Sequence, residues 1–246
     1  MLDSSIWITG SSKSGKTACL VDYFCLWVEK IRKNNSLLNR KTSKILVFAA
    51  NGDNRQELAE RLEHAGAGAP VPVHSTTPVG FFQEEVMLFW PLLIQRLDLR
   101  AQFPLRLRPE TEQELATELW RSELDKGILR QEGISEYRIV RRTLDLLQLA
   151  GMSGTPAEEI KSFLEKGMGG DGGSPQLWEC MQQVLLRWRD WCLERGLLTY
   201  GIIAELYWRH LLPDETYRKH LTARYQVVLA DDVDEWRSLV IYLKYC

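Results

Sequence analysis

The chain has 246 residues, and its 31 Lys and Arg residues nearly balance its 33 Asp and Glu residues. Hydrophobic residues make up 45% and charged residues 26%, which excludes a disordered or collagen-like chain. The formal net charge of −2 excludes a strongly basic, histone-like binder of nucleic acid, but not a local basic groove.

No pattern in the sequence predicts a membrane span, a secretory signal or a metal site of Cys and His. The longest apolar run, residues 86–94, contains Pro91 and is short of the about 20 residues that a bilayer requires. The start of the chain has no basic region followed by an apolar core. The five cysteines form no C-x-x-C pair and the four histidines lack metal-ligand spacing, which favours reduced thiols in a cytoplasmic protein.

The first part of the chain alternates between strand and helix patterns. Residues 6–9 (IWIT) predict a short strand, and the Gly- and Ser-rich residues 10–15 predict a loop. Apolar residues at steps of three and four predict a helix from Lys16 to about Lys33. Residues 45–50 (ILVFAA) are a continuous apolar run, which is typical of a parallel strand covered on both faces.

Two further elements continue this α/β pattern. Residues 51–54 predict a turn with a helix cap, followed by a helix that carries Leu58 and Leu62 on one face and ends at Gly66. Residues 71–74 (VPVH) predict a weaker third strand, so the alternation favours a layered α/β sheet.

The middle of the sequence differs from both ends. Residues from about 79 to 210 have helical periodicity and almost no strand candidates, with a predicted loop at residues 167–175 (GMGGDGGSP). Residues 225–230 (YQVVLA) predict a last strand, followed by an acidic cluster at 231–235. The simplest fold is a parallel-sheet domain that is split in sequence by a helical insertion.

Residues 10–17 (GSSKSGKT) fit the phosphate-loop pattern G-x-x-x-x-G-K-[ST] between a predicted strand and a predicted helix. The glycines let successive backbone N–H groups point at a phosphate, and the helix directs its positive end at the same anion. Lys16 can reach the β- and γ-phosphates of ATP, and Thr17 can offer its hydroxyl to Mg²⁺. A Gly- and Ser-rich turn with an incidental lysine is the alternative. The residues predicted to bind the nucleotide are Gly10, Ser11, Ser12, Lys13, Ser14, Gly15, Lys16 and Thr17.

The second half of such a nucleotide site is an acid at the end of a neighbouring strand, which holds the magnesium ion. Asp231 directly follows the apolar run at residues 225–230. Because ligands of open parallel sheets gather at the carboxyl ends of the strands, we expect Asp231 and Thr17 to share one Mg²⁺. Taken alone, Asp231 would be better explained as part of a solvated turn.

Three blocks of the sequence resemble superfamily 1 DNA helicases of the UvrD/Rep type. They are residues 10–17, residues 45–62 and residues 196–235, in the order that this family has them. The third block carries the lead-in GLLTY at 196–200 and an Arg-Tyr pair at 224–225, before the strand that ends in acids.

The resemblance implies a fold and a domain organisation. The fold would be α/β, a P-loop NTPase with a RecA-like parallel sheet flanked by helices and an all-helical inserted subdomain. Residues 1–90 and 196–246 would form the RecA-like ATP-binding domain, and residues 91–195 would form the helical insertion.

The resemblance also implies roles for single residues. Lys16 would contact the phosphates in the reaction, and Thr17 and Asp231 would bind the metal. Asp232 stands where the family has the glutamate that polarises the attacking water, and Asp234 where it has a glutamine that senses the γ-phosphate. An aspartate is one methylene shorter than a glutamate, and misplacement by about 1 Å can cost roughly a hundredfold in rate. We therefore expect ATP binding with weak turnover, unless a neighbouring acid substitutes.

Two elements of that family have no counterpart in these residues. Only nine residues precede Gly10, so the upstream glutamine element that reads adenine is missing. The chain ends eleven residues after Glu235, before any second RecA-like domain with its arginine finger. We expect movement along single-stranded DNA to require that second domain, in the same chain or in a partner.

Two segments align with the loops that bind single-stranded DNA in this family, residues 49–51 and 75–77. Hydroxyl and amide side chains can bond phosphate oxygens without reading sequence. The family's stacking aromatic is replaced by a small residue, Ala50, and its histidine by Pro78, so stacking of about 1–3 kcal/mol per base is lost there. Ordinary polar loop residues are the alternative.

The function that these patterns favour is the ATP-binding domain of an ATP-dependent DNA helicase or translocase. The alternative is a degenerate nucleotide-binding scaffold of a DNA repair or recombination complex, which binds ATP without hydrolysing it. A small-molecule kinase with the same loop is a weaker third hypothesis, because no arginine-rich lid for an acceptor stands out in the sequence.

Overall fold

The computed structural model describes residues 6–35, 44–66, 72–168 and 175–233. Within these ranges the protein is a mixed α/β protein, mostly helical, with a small parallel sheet of three strands. The strands, in chain order, are β1 (Lys44–Phe48), β2 (Val73–Thr76), β3 (Leu105–Arg106), β4 (Leu197–Leu198) and β5 (Tyr225–Ala230).

Helices make up most of the remaining described chain. In chain order they are α1 (Lys16–Asn35), α2 (Gly52–Ala65), α3 (Pro78–Leu88), α4 (Trp90–Leu97), α5 (Pro109–Leu119), α6 (Arg121–Asp125), α7 (Glu136–Ser153), α8 (Ile160–Met168), α9 (Pro175–Glu194), α10 (Tyr200–Leu206) and α11 (Glu215–Arg224). A 3₁₀ turn (Ala157–Glu159) precedes α8, and a π-helix (Tyr207–Leu211) follows α10. Among the described helices, none has the length and apolar character that crossing a bilayer requires.

The chain divides into two compact units. Unit one comprises Met1–Phe81 and Arg218–Cys246, and unit two comprises Phe82–Tyr217. Unit one is therefore discontinuous in sequence, and its boundaries differ from those at residues 90 and 196 that the family resemblance implies. Residues 196–217 group with the helices of unit two.

A close contact between two helices explains this grouping. Gly201 of α10 lies against α7, where an added Cβ would be 2.8 Å from the carbonyl oxygen of Leu147. A Cβ on Gly151 of α7 would in turn lie 2.3 Å from the carbonyl oxygen of Gly201. Because both positions lack a side chain, the two backbones can approach each other, which joins α10 to unit two.

The sheet of unit one has the strand order β2-β1-β5, and both neighbours are parallel to β1. Phe48, the last residue of β1, is in register with Thr76 of β2 and with Ala230 of β5. The strand predicted at 225–230 is confirmed. The one predicted at 45–50 is confirmed as β1, which ends two residues earlier, at Phe48, and is buried along Ile45–Phe48. The third strand begins two residues later than predicted, at Val73.

One face of this sheet is covered by the first two helices. Phe24 and Val28 of α1 pack in one cluster with Leu58 and Leu62 of α2 and with β1. The helices predicted after Lys16 and after residues 51–54 are thus confirmed, and the apolar residues that they bury are Leu20, Phe24, Val28, Ile31, Leu58 and Leu62.

The predicted strand at residues 6–9 is wrong. These residues belong to no strand in the structure, and the side chains of Ile6, Trp7 and Ile8 are exposed. A strand satisfies its backbone N–H and C=O groups only beside another strand. No described strand lies beside residues 6–9, so their β propensity alone does not produce one.

Unit two is built around buried indole rings. Trp90, Trp120 and Trp188 are each at most 1% exposed, and the Trp120 indole N–H donates to the carbonyl oxygen of Val184 at 3.1 Å. The prediction of an all-helical insertion is wrong in one respect, because β3 and β4 form a short parallel pair in this unit. Strands of two residues are too short for a hydrophobic period to reveal them. The loop predicted at 167–175 falls largely outside the described residues.

A closed network of ion pairs joins four helical segments of unit two, namely the 3₁₀ turn, α9, α10 and the π-helix. Glu158 and Glu205 each pair with both Arg189 and Arg209, at N–O distances of 2.7 to 3.4 Å. Burial opposes the ionisation of Glu158, but a backbone hydrogen bond and the two guanidinium groups outweigh it and lower its pKa from 4.5 to about 2. Burial and the nearby Arg209 lower the pKa of His210 to about 4, so its imidazole is neutral at pH 7.

The pKa of Glu158 predicts an acid-sensitive contribution to stability. Its folded pKa lies below the unfolded one, so the stabilisation is present above about pH 4.5 and is lost as the pH falls toward 2. The Glu158→Gln variant should melt roughly 2–4 °C lower than the parent at pH 7, because solvent screening keeps the effect small. The difference should vanish near pH 2, as measured by circular dichroism. Glu114→Gln, at an exposed glutamate of α5, is the control; an equal loss there would refute the network's role.

Candidate nucleotide-binding site

The loop before α1 has the backbone pattern of an anion-binding cradle. Lys13 (φ 61°) and Gly15 (φ 86°) take the left-handed region, whereas Ser14 between them does not. Alternation of this kind turns successive N–H groups toward one side of the loop. Gly15 suits this conformation because it lacks a Cβ, so the second glycine of the motif meets a backbone requirement.

Lys16 folds back over this loop. Its Nζ donates to the carbonyl oxygens of Gly10 at 3.1 Å and of Ser11 at 2.9 Å. Lys16 is also the first residue of α1, whose first-turn N–H groups have no acceptor within the helix. An ammonium group, exposed amides and the positive end of a 20-residue helix therefore meet at one loop, which suits a polyphosphate.

The Thr17 hydroxyl donates to the Asp231 carboxylate, with Oγ1 and Oδ2 2.9 Å apart. The two residues are 214 positions apart in sequence, and both are half-buried. Asp231 comes directly after β5, and its backbone N–H donates to the carbonyl oxygen of Phe48 at 2.9 Å. The structure thus brings together the two groups that the sequence predicts to share a magnesium ion.

A hydroxyl and a carboxylate are oxygen donors, which Mg²⁺ prefers. Magnesium bound with a nucleotide takes only one or two ligands from the protein and keeps phosphate oxygens and water for the rest. The pair of Thr17 and Asp231 fits that requirement. In the described residues, no cluster of three or more His, Cys, Asp or Glu side chains offers a metal site made by the protein alone.

Asp232 is held by a residue that the sequence did not single out. The Asn54 side-chain amide donates to Asp232 Oδ2 at 3.0 Å. Asn54 lies in the first turn of α2, where its backbone N–H bonds the Oδ1 of the N-cap residue Asn51 at 3.0 Å. The only sequence signal for Asn54 is that the predicted cap directly follows a buried strand, at the same sheet edge as the acids.

Asp232 itself has a left-handed backbone, with φ of 49°. Aspartate tolerates this conformation better than most residues, and it turns the chain sharply after β5. One carboxylate oxygen is occupied by Asn54, which leaves the other for a further donor. Asp234, the predicted sensor of the γ-phosphate, lies outside the described residues.

The two segments predicted to contact DNA have mostly structural roles. Ala49 and Thr76 are at most 5% exposed, so the Thr76 hydroxyl is not open to solvent for a contact with phosphate. Asn51 is exposed, but its side chain caps α2. The Thr77 hydroxyl accepts the N–H of Gly80 at 3.1 Å at the start of α3.

The sequence matches no model of a known protein family and none of the curated proteins with which it was compared.

The contact between Thr17 and Asp231 predicts a magnesium-dependent effect. Thr17→Ala should weaken the binding of ATP in Mg²⁺ by about tenfold to a hundredfold, because a bond to a charged partner is worth about 1.5–3 kcal/mol. Binding of ATP in EDTA should change little. Isothermal titration calorimetry in both buffers measures the difference.

Thr222→Ala is the matched control, since the Thr222 hydroxyl bonds only backbone carbonyls of its own helix. Equal weakening of ATP binding with and without Mg²⁺ in Thr17→Ala would contradict a metal-binding role for the hydroxyl.

Proposed function

We propose that this chain is the ATP-binding part of an ATP-dependent DNA helicase or translocase of the UvrD/Rep type. In this proposal unit one is the RecA-like domain and unit two takes the position of the helical insertion. The observation that supports it most is the hydrogen bond of 2.9 Å between Thr17 and Asp231. A phosphate loop and a strand-end acid occur separately in many proteins, but their contact is what magnesium-dependent nucleotide binding requires.

In this function the loop and Lys16 bind the phosphates. The amides of residues 10–17 would bond the β- and γ-phosphate oxygens, and Lys16 would exchange its two carbonyl partners for them. Thr17 and Asp231 would hold Mg²⁺, which neutralises charge on the phosphates when it is bound. Asp232 would accept a proton from the water that attacks the γ-phosphorus, while the bond from that phosphorus to the β–γ bridging oxygen breaks.

We expect turnover by this chain alone to be weak. Asp232 is shorter than the glutamate that the family uses, and Asn54 restrains one of its oxygens. Coupling of hydrolysis to movement along single-stranded DNA would need a second RecA-like domain, in the same chain or in a partner. That domain would complete the other wall of the ATP cleft.

Calorimetric titration with Mg-ATP tests the proposal. The parent should give a saturable heat, and Lys16→Ala should lose it, because the ammonium group is the main positive charge at the phosphates. Lys126→Ala, at an exposed lysine of unit two, should bind as the parent does. No heat from the parent, or full binding by Lys16→Ala, would refute the proposal.

The restraint on Asp232 favours a second candidate function, that of a nucleotide-binding scaffold without hydrolysis. Single-turnover release of phosphate, with and without single-stranded DNA, separates the two functions. Turnover that DNA stimulates supports the motor, whereas tight ATP binding without turnover supports the scaffold.

Variants at Asp232 and Asn54 refine this test. If Asp232 orients water, Asp232→Ala should lower turnover about a hundredfold or more with ATP affinity unchanged. Asn54→Ala should raise turnover by about threefold to tenfold, because it releases the carboxylate. Gln56→Ala, in the same helix, is the control. Turnover by Asp232→Ala equal to that of the parent would remove Asp232 from the mechanism.

A further inference from the structure

The segment between α4 and β3 displays a phenylalanine in solvent. Phe103 is 82% exposed, the largest exposed fraction among the large hydrophobic side chains of the described residues. Leu105, two residues further along the chain, is 62% exposed. Single exposed hydrophobic residues are common on protein surfaces, so exposure alone assigns no role to Phe103.

The backbone around Phe103 is nevertheless held firmly. The carbonyl oxygen of Ala101 accepts the indole N–H of the buried Trp90 at 3.1 Å. The N–H of Leu105 donates to the carbonyl oxygen of Gly196 at 2.7 Å. Both sides of Phe103 are therefore anchored, and its ring is the part left in solvent.

Gly196 permits this anchoring. It has a left-handed φ of 68°, and a Cβ at this position would lie 2.5 Å from the carbonyl oxygen of Phe103 and 2.9 Å from the Cβ of Ala101. Any other residue would push the segment away. An aromatic ring on a rigid backbone loses little freedom when a ligand stacks on it, which favours binding.

Several arginines lie close to Phe103 along the chain. Residues 99–109 contain Arg100, Arg106 and Arg108 and no acid, although Asp98 and Glu110 flank them. All three arginines lie within five residues of Phe103, at most roughly 18 Å along an extended backbone.

These three arginines differ from most others of unit two because none of them forms an ion pair with a carboxylate in the described part of the chain. Arg106 bonds two neutral groups, Gln83 Oε1 and Tyr200 Oη, each at 2.8 Å. Arg100 and Arg108 are exposed and make no ion pair there. By contrast, the arginines that pair with carboxylates are Arg96, Arg121, Arg141, Arg187, Arg189, Arg195 and Arg209.

We infer that residues 99–108 form a binding surface for single-stranded nucleic acid. Phe103 stacks on a base, and Arg100, Arg106 and Arg108 contact the phosphates. A single strand fits both features, since its bases expose their faces while its backbone supplies one negative charge per nucleotide. An acidic peptide would satisfy the arginines but would leave the ring without a flat partner. The surface lies within unit two and does not depend on the nucleotide site.

Fluorescence anisotropy with a labelled oligothymidylate of about 20 nucleotides tests this inference on the full chain without ATP. Phe103→Ala should weaken binding roughly 5- to 150-fold, the range for the loss of one stacked base. Phe103→Trp should retain binding. Phe163→Ala removes another exposed phenylalanine of unit two, at 53% exposure, and should bind as the parent does.

The arginines are tested through salt dependence. Arg100→Gln and Arg108→Gln should each reduce the slope of log affinity against log salt by about 1, because each arginine contacts one phosphate. Arg130→Gln, at an exposed arginine elsewhere in the unit, should leave the slope unchanged.

Two results would overturn the inference. One is oligonucleotide binding by Phe103→Ala that equals that of Phe163→Ala. The other is equal competition by polyglutamate in the parent and in Phe103→Ala, which would identify a surface for acidic proteins. Lys16→Ala should bind the oligonucleotide as the parent does, so failure of the nucleotide proposal remains distinguishable from failure here.

Discussion

The parallel pairing of β5 with β1 is the constraint on which the candidate site depends. Phe48 and Ala230 end their strands in register, and Asp231 extends the pairing by one more bond to Phe48. A slip by one residue would move Asp231 by about 3.3 Å and turn its side chain to the other face of the sheet. The buried side chains of β1 therefore hold the carboxylate within reach of Thr17.

At this edge of the sheet, the adjacent residues Asp231 and Asp232 accept hydrogen bonds from different donors. Asp231 meets a hydroxyl from the start of α1, and Asp232 meets an amide from the start of α2. Both α1 and α2 begin at this edge of the sheet, so residues of their first turns, Thr17 and Asn54, are the hydrogen-bond donors. One acid is thereby suited to a metal and the other to a water molecule or to a structural role.

Unit two follows another principle, in which many of its arginines pair with carboxylates. Glu158 and Glu205 enclose Arg189 and Arg209 in a closed network, and several other arginines have a carboxylate partner. The segment around Phe103 departs from this pattern with an anchored backbone and arginines without acidic partners. Charge that the fold leaves uncompensated is available to a negatively charged ligand.

Local signals in the sequence were sufficient to predict α1, α2, β1, β5 and the Gly- and Ser-rich loop before α1, because hydrophobic period, caps or glycine mark each of them. The sequence also predicted the meeting of Thr17 and Asp231, because parallel strands end at a common edge. Three features come from long-range contacts alone: residues 6–9 form no strand, β3 pairs with β4, and Asn54 holds Asp232. These features depend on which distant backbone or side chain lies alongside, and no periodicity within one segment contains that information.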